Sequence, residues 1–258
     1  MEDGSGVALG VDFTTGIVEV TVQGTWQRRL HRETTAAIRK SLSEHPAALV
    51  INLLGVSDRH ALSVPTWITA CRVAESMSPP VRVVCCLPPD SPLTGRMRRL
   101  GAVRYLPVYD NLTEARAAAS QGLILTDRVR LHLMPEVLAA ALARNLVTDA
   151  CAAWSLQTLL HPARLVMSEL AANAIMHART PFTVAVTRKN AALHVSVKDS
   201  SRAAPRLVDQ QPAACDSVWA LPRRGLRVVH SAAWTWGWLP VTDGKVVWAI
   251  LRPATDRQ

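Results

Sequence analysis

The run Ala48-Leu49-Val50-Ile51-Asn52-Leu53 constrains the fold of everything around it. An apolar stretch of this length reads as a strand covered on both faces, and such strands belong to largely parallel sheets flanked by helices. The neighbouring residues fit that frame. Gly16–Val22 alternates with period two, His31–Leu42 has helical composition and stops at His45-Pro46, and a helix is expected over about Ser63–Ser76. Val81–Leu87 reads as a second buried strand. Pro88–Pro92 is a turn leading to a short helix through Leu100, Tyr105–Val108 is a last strand, and Asn111 opens a helix ending near Gly122. Strands alternating with helices over short loops make an α/β layer.

The pattern changes beyond Ser120-Gln121-Gly122, where the domain boundary is expected. Arg128–Leu133 reads as a strand, and long helices are expected from Pro135 to Trp154 and from His161 to about Ala178. Strands over Phe182–Thr187 and Leu193–Val197, a helix over Arg224–Ala232, and strands near Thr235–Leu239 and Val246–Leu251 complete the chain. Helices segregated onto one face of a mixed sheet define an α+β domain. Ser200–Leu221, rich in Ala, Pro, Gln and Asp, shows no period and is expected to be a lid or a disordered segment.

Composition narrows the classes of function. The chain has 258 residues, 49% hydrophobic and 19% charged, which excludes a disordered protein. No apolar run reaches the roughly 18 residues of a membrane span. The acidic start Met1-Glu2-Asp3 lacks the features of a secretory leader, so the cytoplasm is expected. Basic residues number 13 against 11 acidic up to Gly122, and 16 against 9 beyond it. Most are dispersed arginines, with no lysine block and no tryptophans interleaved among them, so direct nucleic-acid binding is not expected. Five cysteines without a repeated CxxC spacing argue against a disulfide framework or zinc site, and the vicinal pair Cys85-Cys86 in an apolar run reads as buried thiols. His132 and His194, on apolar strands, read as core histidines.

Chemistry concentrates in Arg164–Ala178. Glu169, Asn173 and His177 recur at i, i+4 and i+8, on one face of a single helix, with Leu165, Val166, Leu170, Ala174 and Ile175 available to be buried. A carboxylate and an amide one turn apart offer two oxygen ligands, which suits a Mg²⁺ that keeps waters and bridges phosphates. The alternative is a polar stripe facing solvent. Further on, Asp199 stands at a strand end, Arg223-Arg224-Gly225-Leu226 places a glycine at a helix start, and Gly244-Lys245-Val246 precedes the last strand.

In this order, the four stretches resemble the ATP-binding domain of the anti-sigma-factor serine kinases, a branch of the GHKL ATPases, over about residues 126–252. The resemblance implies ATP and Mg²⁺ as cofactors. It implies Asn173 as the metal ligand and Glu169 as the residue that polarises an attacking hydroxyl. Asp199 would accept the adenine amino group, and Arg224, Gly225 and Leu226 would lie beside the phosphates. Two departures stand out. Arg223 replaces a glycine whose freedom of φ the family uses, and Val246 replaces a threonine. ATP binding is therefore expected, and efficient phosphoryl transfer is not.

The first half resembles a STAS domain, the fold of the anti-sigma-factor antagonists, over about residues 8–119. Leu49–Ser57 matches the strand and turn before that family's phosphorylation loop. The aligned loop reads His60-Ala61-Leu62-Ser63-Val64, so Ala61 and Leu62 stand where the family carries serines, and Ser63 reads as a helix N-cap. The expected whole is two domains: an N-terminal α/β STAS-like fold over residues 1–122, and a C-terminal α+β GHKL (Bergerat) ATP-binding sandwich over 123–258.

Three functions remain open on this basis. The leading one is a cytoplasmic bacterial transcription regulator that sequesters a sigma factor or a STAS antagonist protein under nucleotide control. The others are an active protein-serine kinase acting on a separate STAS protein, and a nucleotide-dead scaffold. A second copy of the chain is a further expected partner.

Overall fold

A computed structural model describes residues 5–122, 127–205 and 225–253. The chain divides into two compact units, Met1–Leu125 and Thr126–Gln258. The described residues form one five-stranded sheet in each.

The first unit runs β1 (Gly6–Asp12), β2 (Ile17–Thr25), α1 (Arg28–Ser43), β3 (Ala48–Ser57), α2 (Val64–Glu75), β4 (Arg82–Cys86), α3 (Pro92–Arg99), β5 (Val108–Tyr109) and α4 (Leu112–Ser120). Strand order follows chain order, with β1 and β2 an antiparallel hairpin and β2 to β5 parallel. The hairpin turn is held by Asp12, whose carboxylate accepts from the Thr14 N–H at 2.8 Å and the Thr15 hydroxyl at 2.7 Å. In β3, Ala48 and Val50 pack with Ala115 and Ala119 of α4 on one face, and Leu49, Ile51 and Leu53, which alternate with them, are equally buried. This two-sided burial is why the strand reads as an apolar run.

Two details differ from the sequence reading. β1, in which Val7, Leu9 and Val11 alternate with small or polar residues, is an additional strand that joins the sheet through its hairpin with β2. The strand expected at Tyr105–Val108 shrinks to Val108–Tyr109, because a 3₁₀ turn at Ala102–Arg104 and buried Leu106 occupy the chain just before it.

The second unit runs β6 (Arg128–Leu133), α5 (Ala139–Ala153), α6 (Leu160–Asn173), β7 (Phe182–Lys189), β8 (Ala192–Asp199), α7 (Gly225–Ala232), β9 (Thr235–Val241) and β10 (Gly244–Leu251). The sheet order is β6-β7-β8-β10-β9, and every neighbouring pair is antiparallel, not mixed as the sequence suggested. Consecutive hairpins join β7 to β8 and β9 to β10, and β10 inserts beside β8. α5 begins at Ala139, four residues later than expected from Pro135, because Met134–Glu136 forms a turn instead. One core joins the helices to one sheet face: Val147 of α5, Val166, Met167 and Leu170 of α6, and Val229 of α7 meet Val184, Val195, Val197 and Val247.

Cys85 and Cys86 are buried free thiols, as read from the sequence; Cys71 and Cys151 are buried free thiols too, and Cys215 lies outside the described residues. Burial, with the Glu75 carboxylate adding to it, pushes the Cys71 thiol up to about 11. His194 is buried and stacks on Trp248 at 6.1 Å between ring centroids. His132 corrects the sequence reading: it is exposed, with Nδ1 3.1 Å from the Thr183 hydroxyl.

Candidate nucleotide site

α6 buries Ala163, Val166, Met167, Leu170 and Ala171, a stripe at i, i+3, i+4, i+7 and i+8. Met167 and Ala171 therefore do the packing that the sequence reading assigned to Leu165, which is exposed. Glu169 and Asn173 flank this stripe and are half-buried. Among the described residues Glu169 has neither a hydrogen bond nor an ion pair. Asn173 Nδ2 is buried without a partner. Which end of an amide is nitrogen is settled only by its partners, so one end of a buried amide is left for something other than protein. An unpaired polar group in such a place costs about 1–3 kcal/mol, and a ligand that engages it recovers that cost.

The third member of the expected ladder lies where the helix changes its winding. α6 passes at Ala174 into a π-helical turn, Ala174–Ala178, which closes with the Arg179 N–H donating to the Ala174 carbonyl at 3.0 Å. A π turn adds a residue to the turn and rotates the next side chains around the axis. His177 lies in this turn and is exposed to solvent. Spacing in the sequence assumes a regular helix and carried no sign of this turn.

α6 packs against β8, β10 and α7, which brings the remaining elements of the site together. Asp199 ends β8 and is buried. Its Oδ1 accepts from the Ser201 N–H at 2.8 Å and from Lys245 Nζ at 2.8 Å. Lys245 is the residue the sequence reading missed. In the sequence it is part of a Gly-Lys-Val triplet, and only the pairing of β8 with β10 puts it opposite Asp199. Gly225 begins α7, where the first N–H groups of the helix have no intrahelical acceptor. Leu226 is next in that turn, but its side chain is buried in the core, so it packs the helix and leaves only its backbone to a ligand. Arg224 and Arg223 lie outside the described residues, as does the expected lid from residue 206 onward.

Mg²⁺ fits the donors present on α6. Asn173 offers one neutral ligand and Glu169 a nearby carboxylate. Among the described residues no group of three His, Cys, Asp or Glu could hold a cation by itself. A sparse protein donor set suits Mg²⁺, which keeps waters and takes phosphate oxygens.

The loop of the first unit aligned with the phosphorylation loop is closed on itself. Asp58 Oδ1 accepts from the Leu62 N–H at 3.0 Å and Oδ2 from the Ser63 N–H at 2.8 Å. Ser63 occupies the N-cap position of α2, yet its hydroxyl makes no capping bond and instead accepts from Trp67 Nε1 at 2.9 Å. Ser63 therefore does not cap α2 as expected, and Asp58 instead holds the Leu62 and Ser63 N–H groups just ahead of the helix. Ser63 is 0% exposed, whereas Leu62 is 67% exposed. Ala61 has a φ of 51°, in the left-handed region.

Among the described residues no helix is long and apolar enough to cross a membrane. No curated protein matches the chain. Among solved structures, it is similar to an anti-sigma factor antagonist from Mycobacterium paratuberculosis, at 20% identity and a TM-score of 0.38, covering 46% of this chain and 98% of that one. It is also similar to the RsbU and RsbW domains of a Mycobacterium tuberculosis protein, at 14% identity and a TM-score of 0.36, covering 48% of this chain and 31% of that one. A family model described as a histidine kinase-like ATPase domain matches residues 126–251, within the second unit and just under half of the chain.

Proposed function

We propose that this chain is an ATP-binding regulator of the partner-switching type, holding a sigma factor or a STAS antagonist protein in the cytoplasm under nucleotide control. The observation that carries the reading is the buried, unpartnered amide nitrogen of half-buried Asn173, one helical turn from an unpaired Glu169 carboxylate, in a stretch that matches the histidine kinase-like ATPase domain model. In this reading Asn173 holds Mg²⁺ together with waters and the nucleotide phosphates. The backbone at Gly225 and Leu226, next to Arg224 in the chain, faces the phosphates from the start of α7. Bound Mg²⁺-ATP supplies a metal-neutralised triphosphate, and the protein supplies its placement.

The first unit supports a switch that is not thrown by its own phosphorylation. Ala61 and Leu62 have no hydroxyl, and the Ser63 hydroxyl is buried against Trp67. Phosphorylation would add roughly −1.5 to −2 charges at the start of α2, and this chain has no exposed acceptor for it at the aligned positions. The unit therefore acts as a constant, unphosphorylated surface toward a partner. A second reading, serine kinase activity on a separate STAS protein, is favoured by one observation: the Glu169 carboxylate has no protein partner among the described residues, as a residue that engages a substrate hydroxyl requires.

Calorimetric titration of Mg-ATP into the full chain and into Asn173→Ala tests the reading. Magnesium-dependent binding by the wild type that is lost in the variant is the expected result. Equal affinity in the two, or no binding by a folded wild type, overturns it. Capturing partners from the native cell with and without ATP, and then adding labelled ATP to the captured complex, separates sequestration from phosphoryl transfer.

A further inference from the structure

Asp199 and Lys245 are direct register partners where β8 ends and β10 begins. Both share the sheet face of Val197 and Val247, which the helices cover. Their side chains are 4% and 8% exposed. Lys245 Nζ donates to Asp199 Oδ1 at 2.8 Å and to the Ser201 carbonyl at 3.2 Å. With the Ser201 N–H on the same Oδ1, both lone pairs of that oxygen are engaged. The backbone is shaped for this contact. Gly244 has a φ of 143°, and a Cβ there would overlap the Asp199 carbonyl, so a glycine is needed to bring the start of β10 against Asp199 and Ser200. The nearby Asp243 carboxylate is already paired with Lys198 at 2.7 Å.

We propose that Lys245 is a built-in occupant of the base end of the nucleotide site: its ammonium stands where a base's exocyclic amine would donate to Asp199, so this chain binds nucleotide without reading that amine. The inference rests on the ATP-binding reading above and changes what that site recognises. Two physical facts keep the lysine in place. A hydrogen bond from an ammonium to a carboxylate is roughly twice as strong as one between neutral groups, so the neutral amine of adenine is the weaker competitor. Displacing the lysine would also strand a buried ammonium without its counter-charge, which is strongly unfavourable.

The test uses the full chain, with calorimetry of Mg-ATP and of the magnesium salt of purine riboside triphosphate, which is ATP without the 6-amino group. Equal affinities within about twofold are expected for the wild type, and a preference for ATP of about tenfold or more for Lys245→Met, where Asp199 is released to the amine. A wild type that prefers ATP by about tenfold would show that the second oxygen of Asp199 reads the amine, and overturns the proposal. So does a folded Lys245→Met variant without preference. If Lys245→Met does not fold, judged by near-ultraviolet circular dichroism, the two wild-type affinities decide alone. Binding of neither nucleotide by folded wild type and variant removes the ATP reading itself, a pattern distinct from binding without the predicted preference.

Discussion

The loop after β3 in the first unit and the end of α6 in the second treat their polar groups in opposite ways. In the first, the Asp58 carboxylate, the Leu62 and Ser63 N–H groups, the Ser63 hydroxyl and the Trp67 indole all find partners within a ten-residue stretch. In the second, Asn173 keeps a buried amide nitrogen unpaired, and Glu169 has no partner among the described residues. The closed loop adds stability and has nothing left to offer a phosphate donor. The open helix end gives up stability and has donors and acceptors to offer a ligand. The contrast teaches that resemblance to a switch and possession of its chemistry are separate: a backbone can keep a phosphorylation loop's place while its side chains shut it.

Substitutions break this comparison by degrees. The largest effect is expected from Trp67→Ala, which removes a fully buried side chain and leaves the Ser63 hydroxyl without its donor. A loss of about 3–5 kcal/mol is expected for the first unit in denaturant melts, and a loss under about 1 kcal/mol would mean the loop is not braced by this indole. Ser63→Ala should cost about 1–3 kcal/mol, since the indole N–H then stays buried and unpaired. The same serine should take up no phosphate when the full chain is incubated with labelled ATP. Phosphate mapped to Ser63 would show that the loop opens.

Smaller effects fall on the hairpin turn of the first unit. Burial tends to raise the Asp12 carboxyl, but hydrogen bonds from Thr15 and Thr14 outweigh it and hold the group below its ordinary 3.8. A depressed carboxylate stabilises the fold above its unfolded value, and that contribution is lost as pH falls through the folded one. Acid titration monitored by circular dichroism should therefore show a loss below pH 3.8 that Asp12→Asn does not share. The smallest effect on stability is the most diagnostic. Asn173→Ala, although it alters a half-buried helix residue, should change the melting midpoint of the second unit little or raise it, because it removes an unsatisfied group and installs a better helix former. A destabilisation above about 1 kcal/mol would mean that the amide is a structural bond and not a ligand.

Much of the architecture is legible in the residues alone. β3, β4 and the strands of the second unit announce themselves by apolar runs or period-two alternation, because burial acts on each residue locally and leaves its pattern in the chain. Glu169 and Asn173 are legible for the same reason: four residues in a regular helix is one turn, wherever the helix lies. β1 carries the same signal in Val7, Leu9 and Val11, but its short run between glycines is easily passed over beside the longer β2. The π turn that carries His177 is not legible, because its backbone hydrogen bond from Arg179 to Ala174 has no signature in residue types.

The sequence by itself determined which side chains exist to do chemistry: a carboxylate and an amide one turn apart, a glycine opening a helix, and no hydroxyl at Ala61 and Leu62. Only the tertiary structure decided which of them are spoken for. Ser63 is taken by Trp67 and the Asp58 carboxylate by two backbone amides. Asp199 is taken by a lysine 46 residues away that two antiparallel strands carry into register. The reason is that a residue's type sets what bonds it can make, whereas burial beside a particular neighbour sets which bond wins. That neighbour is chosen by strand pairing across the chain, not by proximity along it.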